Sequence, residues 1–338
     1  MTETAAARRS LKVGILALDG VVLSSVAGPA DALEIASRLA RLRDPTMAAP
    51  FESRVINARG QSSVTTSQGL QLQGLHGPET EVDLLLVPGV MHETAHELHR
   101  GAQDSGPELD YLRQLAERGT TIAAACTGTF LLAASGLLDG YRATTSWWLA
   151  AAFRRHFPHV QLEADQLVVR DRQLVTTGAA TAVYEYILQV VAEVGGHELA
   201  QQTSNMLVID RERQSQAPYV SLAMIERPRH SLSEKAERYL RRALDSELSV
   251  SALAEHCGVS ERSLLRHFRA HHGVTPLEYI QRLRVERAKA MLESTHLSLE
   301  EIVERCGYSD VSSFRKLFKR AASLTPGEYR ERFRLRAN

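Results

Sequence analysis

The chain has 338 residues, a length that predicts two domains. Lys+Arg and Asp+Glu stand at 40 each, so the net charge is zero, which taken alone argues against nucleic acid as a partner. No run reaches the roughly 18 apolar residues of a membrane span. The opening MTETAAARRS lacks an apolar signal core, and three cysteines show no framework spacing; a soluble cytoplasmic protein without a membrane partner is expected.

Residues 12–18 (KVGILAL) are an apolar run that reads as a buried parallel strand. A turn follows, and a helix is expected from about Gly28-Pro29. Strands are predicted at 51–57, 64–66, 70–72 and 82–87, the last stopped by Pro88-Gly89. Helix 107–118 precedes strand 121–125. Residues 143–158 read as strand then helix, 167–180 as a hairpin and strand end, and 182–194 as helix. Strands alternating with helices imply an α/β fold with a parallel sheet and helices on both faces.

IAAACTGTFLLAASGLLDG (122–140) places Cys126 between a buried strand and a helix start, the setting of a nucleophile elbow where a helix dipole lowers a thiol pKa. With LDGYRATTSWW (138–148), this resembles the class I glutamine amidotransferase-like superfamily in its PfpI-type branch, a flavodoxin-like sandwich, over residues 12–194. The resemblance implies that VPGV (87–90) lends a backbone N–H to the pocket. It also implies a histidine where Ser146 stands, and an acidic residue where the chain reads Val21-Val22-Leu23. Serine cannot act as a thiolate's partner base at neutral pH, so no catalytic residue, metal or cofactor is expected. A sensing pocket for a small-molecule effector is expected instead, lined by Gly89, Val90, Cys126, Thr127, Ser146 and Trp147. Backbone N–H groups at a helix start would suit an anion there. The alternatives are an elbow that only packs, and an enzyme (cysteine amidohydrolase or zinc peptidase) with a regulatory tail. The zinc option rests on His92-Glu93-Thr94-Ala95-His96, which fits H-E-x-x-H with His99 beyond it. Gly101 is expected to end any helix there, and a polar surface helix is the favoured reading.

Residues 206–230 mix charge, Gln, Ser and proline with little periodicity and read as a linker between domains 10–205 and 231–336. The apolar YVSLAMI (219–225) within it is a segment that could dock on either domain. Residues 229–338 hold 21 Lys+Arg and 15 Asp+Glu, a net of +6, leaving 19 and 25, a net of −6, in 1–228. The neutral total hides a basic C-terminal domain suited to phosphate contact.

That domain contains a motif twice. Residues 253–279 (LAEHCGVSERSLLRHFRAHHGVTPLEY) match 302–329 (IVERCGYSDVSSFRKLFKRAASLTPGEY). Each copy has a short helix (250–256, 299–305), a Cys-Gly turn, and a second helix with Leu264 and Phe268, or Phe314 and Phe318, on its inner face. Ser260 and Ser309 stand where N-caps belong. The other face carries Arg262, Arg266 and Arg269, or Arg315, Lys316, Lys319 and Arg320. Cys257 and Cys306 read as small buried core residues. This is helix-turn-helix grammar, at about 250–271 and 299–322, in an all-α domain.

The two Cys-Gly turns, VTPLEYIQRLRVERAKAMLE (274–293) and LTPGEYR (324–330) resemble the DNA-binding domain of the AraC/XylS family over 231–334. The resemblance implies a long helix, 276–292, holding the two units apart. Ile280, Leu283 and Ala290-Met291 are available for its packing. By the family pattern, Arg262, Ser263, Leu265 and Arg266 face bases in the first unit, and Val311, Ser312, Ser313, Arg315 and Lys316 in the second. Arg269, Lys319 and Arg320 are expected on phosphate. The implied protein is a sequence-specific transcription regulator, an activator, bound to double-stranded promoter DNA. RNA polymerase is an expected partner, and a homodimer is expected through the N-terminal domain.

Overall fold

The computed structural model describes residues 9–210, 213, 215–221, 231–244 and 248–334. The chain divides into two compact units, 1–216 and 217–338. The division falls inside the segment whose composition suggested a linker. Of that segment, 211, 212, 214 and 222–230 lie outside the described residues, most of the YVSLAMI stretch among them.

The first unit runs β1 (Leu11–Leu16), α1 (Leu23–Arg43), β2 (Phe51–Ile56), β3 (Ser63–Thr65), β4 (Gln71–Gln73), β5 (Leu84–Val87), α2 (Ala95–Gln103) and α3 (Gly106–Glu117). It continues with β6 (Thr121–Ala125), α4 (Gly128–Ala134), β7 (Arg142–Ala143), α5 (Ala150–His156), β8 (Gln161–Leu162), β9 (Val168–Asp171), β10 (Leu174–Thr177), α6 (Ala182–Gly195) and α7 (His197–Leu207). Six strands form one sheet in the order β2-β1-β5-β6-β10-β9. All neighbours are parallel except β9, which pairs antiparallel with β10.

Both faces of the sheet are buried, which is why these strands read as continuous apolar runs rather than alternating ones. Leu85, Val87, Ile122 and Ala124 point to a core shared with α2, α3, α4 and α5. Their neighbours Leu84, Leu86, Ala123 and Ala125 point to a core shared with α1, α6 and α7. This is the expected doubly covered parallel sheet, and it gathers the C-terminal ends of β1, β5 and β6 at one edge.

Two boundaries differ from the sequence reading, and one helix, α7, was not predicted. α1 starts at Leu23, not near Gly28, and Pro29 lies inside it. Val22 has no side-chain cap; tertiary bonds set the start instead, with the Val22 N–H donating to Gly89 O at 2.9 Å and Val21 bridging Val90. α2 passes through Gly101 and ends at Gln103. α7 carried no strong apolar stripe, yet it packs on α1 and α6.

The second unit has α8 (Ser231–Arg242), α9 (Val250–Cys257), α10 (Glu261–His272), α11 (Pro276–Ser294), α12 (Leu299–Arg305), α13 (Val311–Ala322) and α14 (Pro326–Phe333). It has two apolar cores. One joins α8, α9, α10 and the first half of α11 through Leu253, Leu264, Phe268, Ile280 and Leu283. The other joins the second half of α11 to α12, α13 and α14 through Val285, Ala288, Leu292, Ile302, Phe314 and Phe318. α11 is thus the connector, as the family resemblance implies. Its second half packs through Val285, Ala288 and Leu292, while Ala290 is exposed and Met291 only half-buried.

The repeat is also a repeat of bonds. Thr275 with Glu278, and Thr325 with Glu328, form capping boxes behind a first-turn proline. The Tyr279 hydroxyl donates to Glu237 on α8, and the Tyr329 hydroxyl to Glu293 on α11, both at 2.6 Å. Gly258 and Gly307 sit at φ 73° and 74°, the left-handed position that ends α9 and follows α12. Cys257 and Cys306 are buried, and loss of hydration pushes both thiols up, Cys306 to about 11.

Candidate functional site

The two second helices of the motif, α10 and α13, carry the residues expected to meet nucleic acid. Leu264, Phe268, Phe314 and Phe318 are fully buried, which turns the opposite face outward. Arg262, Arg266, Arg269, Ser312, Ser313, Arg315, Lys316 and Lys319 are exposed; Ser263, Leu265 and Val311 are half-buried. Among the described residues, none of the six cations Arg262, Arg266, Arg269, Arg315, Lys316 and Lys319 makes a hydrogen bond or ion pair. Arg320, expected on phosphate, donates to the Gln281 side chain at 3.3 Å. Arg269, Lys316 and Lys319 feel the nearby carboxylates of Glu278, Asp310 and Glu328 without a close contact, and cations not tied down by direct bonds are available for phosphate and base oxygens.

The caps of the two helices differ. Ser260 caps α10 by accepting from the Ser263 N–H. In copy two the cap is Asp310, not Ser309: its carboxylate accepts from the N–H groups of Ser312 and Ser313. The Ser313 hydroxyl and then those two N–H groups hold the Asp310 carboxyl below the usual range.

In the first unit, β6 runs into Cys126, whose φ of 56° is a left-handed strain typical of an elbow. The strain is held by three bonds: the Cys126 N–H donates to Thr177 O at 3.1 Å, and its carbonyl accepts from Thr129 Oγ1 at 2.7 Å and Thr145 Oγ1 at 3.2 Å. Gly128 opens α4, where a Cβ would lie 2.4 Å from Pro88 O; only glycine lets the helix start approach the end of β5.

The half-buried Cys126 has its Sγ 3.0 Å from Ser146 Oγ, and Ser146 is fully buried. The structure therefore brings Cys126 and Ser146 together, with Trp147 buried beside them in sequence. The Ser146 hydroxyl can share a hydrogen bond with the thiol but cannot take its proton. Val21, where relatives are expected to carry an acid, is fully buried and apolar in its contacts. Within the VPGV loop expected to lend a backbone N–H, that of Val90 is committed to Thr127 Oγ1 at 2.8 Å. The N–H groups of Gly89 and Thr127 have no acceptor among the described residues.

Comparison with known proteins covers both units. The DJ-1/PfpI family matches residues 12–193, and a helix-turn-helix domain family matches 253–332. The chain is 26% identical over 332 residues to the HTH-type transcriptional regulator GbdR of Pseudomonas aeruginosa, covering 96% of this chain and 85% of that one. It is 32% identical over 224 residues to the HTH-type transcriptional regulator ArgR of the same species, covering 66% and 68%. It is 29% identical over 345 residues to the HTH-type transcriptional regulator GlxA of Rhizobium meliloti, covering 98% and 99%. A solved structure from Vibrio parahaemolyticus shares the fold, with a TM-score of 0.50 and 21% identity over 59% of this chain and all of that one. The chain belongs to the AraC-type transcription regulators that carry a DJ-1/PfpI domain.

In this AraC-type regulator a pocket of about 190 Å³ opens at the C-terminal ends of β1 and β5. Val90 and Thr127 line it, but Gly89, Cys126, Ser146 and Trp147 do not. Asp19, His92 and Glu97 do, and sequence reasoning passed over Asp19 and Glu97. The available signal was Asp19-Gly20 directly after a central parallel strand, where open α/β sheets bind their ligands. The H-E-x-x-H pattern does not form a zinc helix: His92 and Glu93 precede α2, which begins at Ala95 behind its cap Thr94, so His92 and His96 do not share a helical face. No helix among the described residues is long and apolar enough to cross a membrane.

Proposed function

We propose that this regulator reads double-stranded promoter DNA with α10 and α13 and that its elbow domain is a non-catalytic sensor of a small-molecule effector. The observation that carries the DNA reading is the outward face of the two helices, six exposed cations with no hydrogen bond or close ion pair among the described residues, over two buried aromatic-rich cores. Arg262, Ser263, Leu265 and Arg266 face bases from α10; Val311, Ser312, Ser313, Arg315 and Lys316 from α13; Arg269 and Lys319 meet phosphate. Arg266 has the planar fork that pairs with guanine O6 and N7.

The non-catalytic reading is supported by the Cys126–Ser146 pair, which holds a nucleophile without a base. The same proposal includes activation together with RNA polymerase, dimerisation through the first unit and a cytoplasmic setting, each supported by the family resemblance alone.

The test is a binding series on the promoter fragments this protein occupies in a genome-wide map. Arg266→Ala should weaken specific binding by about 1–3 kcal/mol and relax preference at one base pair. Unchanged affinity and preference would refute the assignment of α10. Cys126→Ala should leave DNA binding intact; turnover of any amide or ester substrate that this variant abolishes would refute the sensor reading.

A further inference from the structure

Residues 213 and 215–220 are gripped at successive points, and each grip lies wholly inside one unit. In the first unit the Arg213 guanidinium sits 2.7 Å from Glu185, with the side chains only 19% and 10% exposed. Ser215 forms a bridge with Gln166, and its hydroxyl donates to Asp165 O at 2.7 Å.

Gln216 is 1% exposed. Its Nε2 lies 2.6 Å from Ala164 O, 2.8 Å from Thr145 O, and 3.3 Å from both Thr144 Oγ1 and Gln166 O. Its Oε1 accepts from the Ala179 N–H at 3.1 Å. Gly178 makes room for it, since a Cβ there would lie 2.7–2.9 Å from the amide. An amide nitrogen has two hydrogens. Facing it with four oxygens makes a socket that holds this side chain and leaves buried carbonyls unpaired when it leaves. Thr145 also bonds the Cys126 carbonyl, and Ser146 next to it holds the Cys126 sulfur.

In the second unit the residues that follow are held as firmly. Lys289, 5% exposed, donates to Val220 O at 2.9 Å and to Ala217 O at 3.3 Å. Tyr219 stacks edge-on to Phe333, 5.4 Å between centroids. The turn Ala217–Tyr219 packs directly on α13.

We propose that residues 215–220 are a coupling strap: movement of the Thr144–Ser146 wall of the elbow is passed through the Gln216 amide to Ala217–Val220, and so to the second recognition helix, α13. This rests on the sensor reading only in that effector occupancy would be what moves the wall. The socket supplies the discrete choice that coupling requires, because Gln216 is either seated on four oxygens or withdrawn from them. α10 belongs to the other apolar core and is not packed on the strap's turn, so the strap acts on one copy of the motif.

The test is amide hydrogen exchange on the full-length protein without DNA and without effector. Gln216→Glu keeps the shape but offers only acceptors to the socket. It should speed exchange at Thr144–Ser146 and, about tenfold, in α13, while α10 stays at the wild-type rate. Gly178→Ala pushes the amide out while leaving Gln216 in place, and it should give the same pattern; it decides the matter if Gln216→Glu also costs α6 its protection. Wild-type exchange in α13 alongside faster exchange at Thr144–Ser146 overturns the strap. So does wild-type exchange at both places, or an equal acceleration of α10 and α13. No promoter or effector enters the measurement, so its failure leaves the sensor reading standing, and failure of that reading leaves the coupling measured.

Discussion

The two copies of the helix-turn-helix motif share a skeleton and differ at most of the solvent-facing positions of their second helices. Phe268 and Phe318 are equally buried, and the capping boxes and tyrosine–glutamate bonds are matched. Against that background Ser260 answers to Asp310, Arg266 to Lys316, and His272 to Ala322. Duplication preserved what folding needs and released what the surface reads. Copy one presents an uncharged cap and three arginines, the residue whose fork suits base recognition. Copy two opens on a carboxylate that occupies Ser312 and Ser313, and its cations lie further along the helix. On that division we propose that α10 carries more of the base readout and α13 more of the backbone anchoring, although both present base-facing residues.

The largest expected asymmetry is in acid. Burial pulls the His272 imidazole down to about 4, with His267 and His271 adding to the effect and Glu237 opposing it. Unfolded, the same group takes its proton near 6.5. Between these values the unfolded chain holds more protons, so stability falls as pH falls. The full penalty, roughly 3 kcal/mol, is present below about pH 4 and absent above about pH 7. His272→Ala copies the residue of copy two. The difference between its thermal midpoint and that of wild type should move in the variant's favour from pH 7 to 4.5; a difference independent of pH would break the comparison.

A smaller effect is expected at the cap. Asp310→Ala should lower the thermal midpoint, because two N–H groups lose their acceptor, and Asp310→Ser should restore most of it. Asp310→Ser should also tighten binding to non-specific duplex at low salt, since a carboxylate leaves the DNA-facing end. If Asp310→Ser binds more weakly, the carboxylate contacts DNA and copy two is a base reader as well. The smallest effect belongs to Lys319. Lys319→Ala should weaken binding about equally on all sequences and reduce the slope of log K against log salt by about 1; a loss confined to one sequence would move Lys319 from phosphate to a base.

Much of this was legible in the chain because local chemistry and tertiary role agree. Thr-Pro-x-Glu-Tyr writes a cap, a first-turn proline and a core tyrosine in five letters, twice. KVGIL and DLLLV could be nothing but buried strands once helices alternate with them. What stayed hidden depends on partners distant in sequence. Val22 starts α1 without a cap because Gly89 holds it. Asp310 displaced Ser309 as cap because both residue types cap well and only backbone geometry chooses. Gln216 lay in a polar, proline-bearing stretch with no periodicity, and its socket is assembled from residues 50 to 72 positions away. Val90 and Thr127 were expected in the pocket, but its wall from α2 was not, because the sequence signal there is the zinc-like spacing.

α11 joins the copies with 19 residues, roughly 28 Å of rigid helix. Glu293 near its far end receives Tyr329 of copy two, while Tyr279 at its near end closes copy one. The helix is therefore a caliper whose jaws are fixed in angle as well as in opening. One residue added in its middle would swing copy two by about 100° relative to copy one. If both units enter DNA as proposed, that helix sets the spacing between the two segments they reach, and a change in its length alters their relative angle as well as their distance.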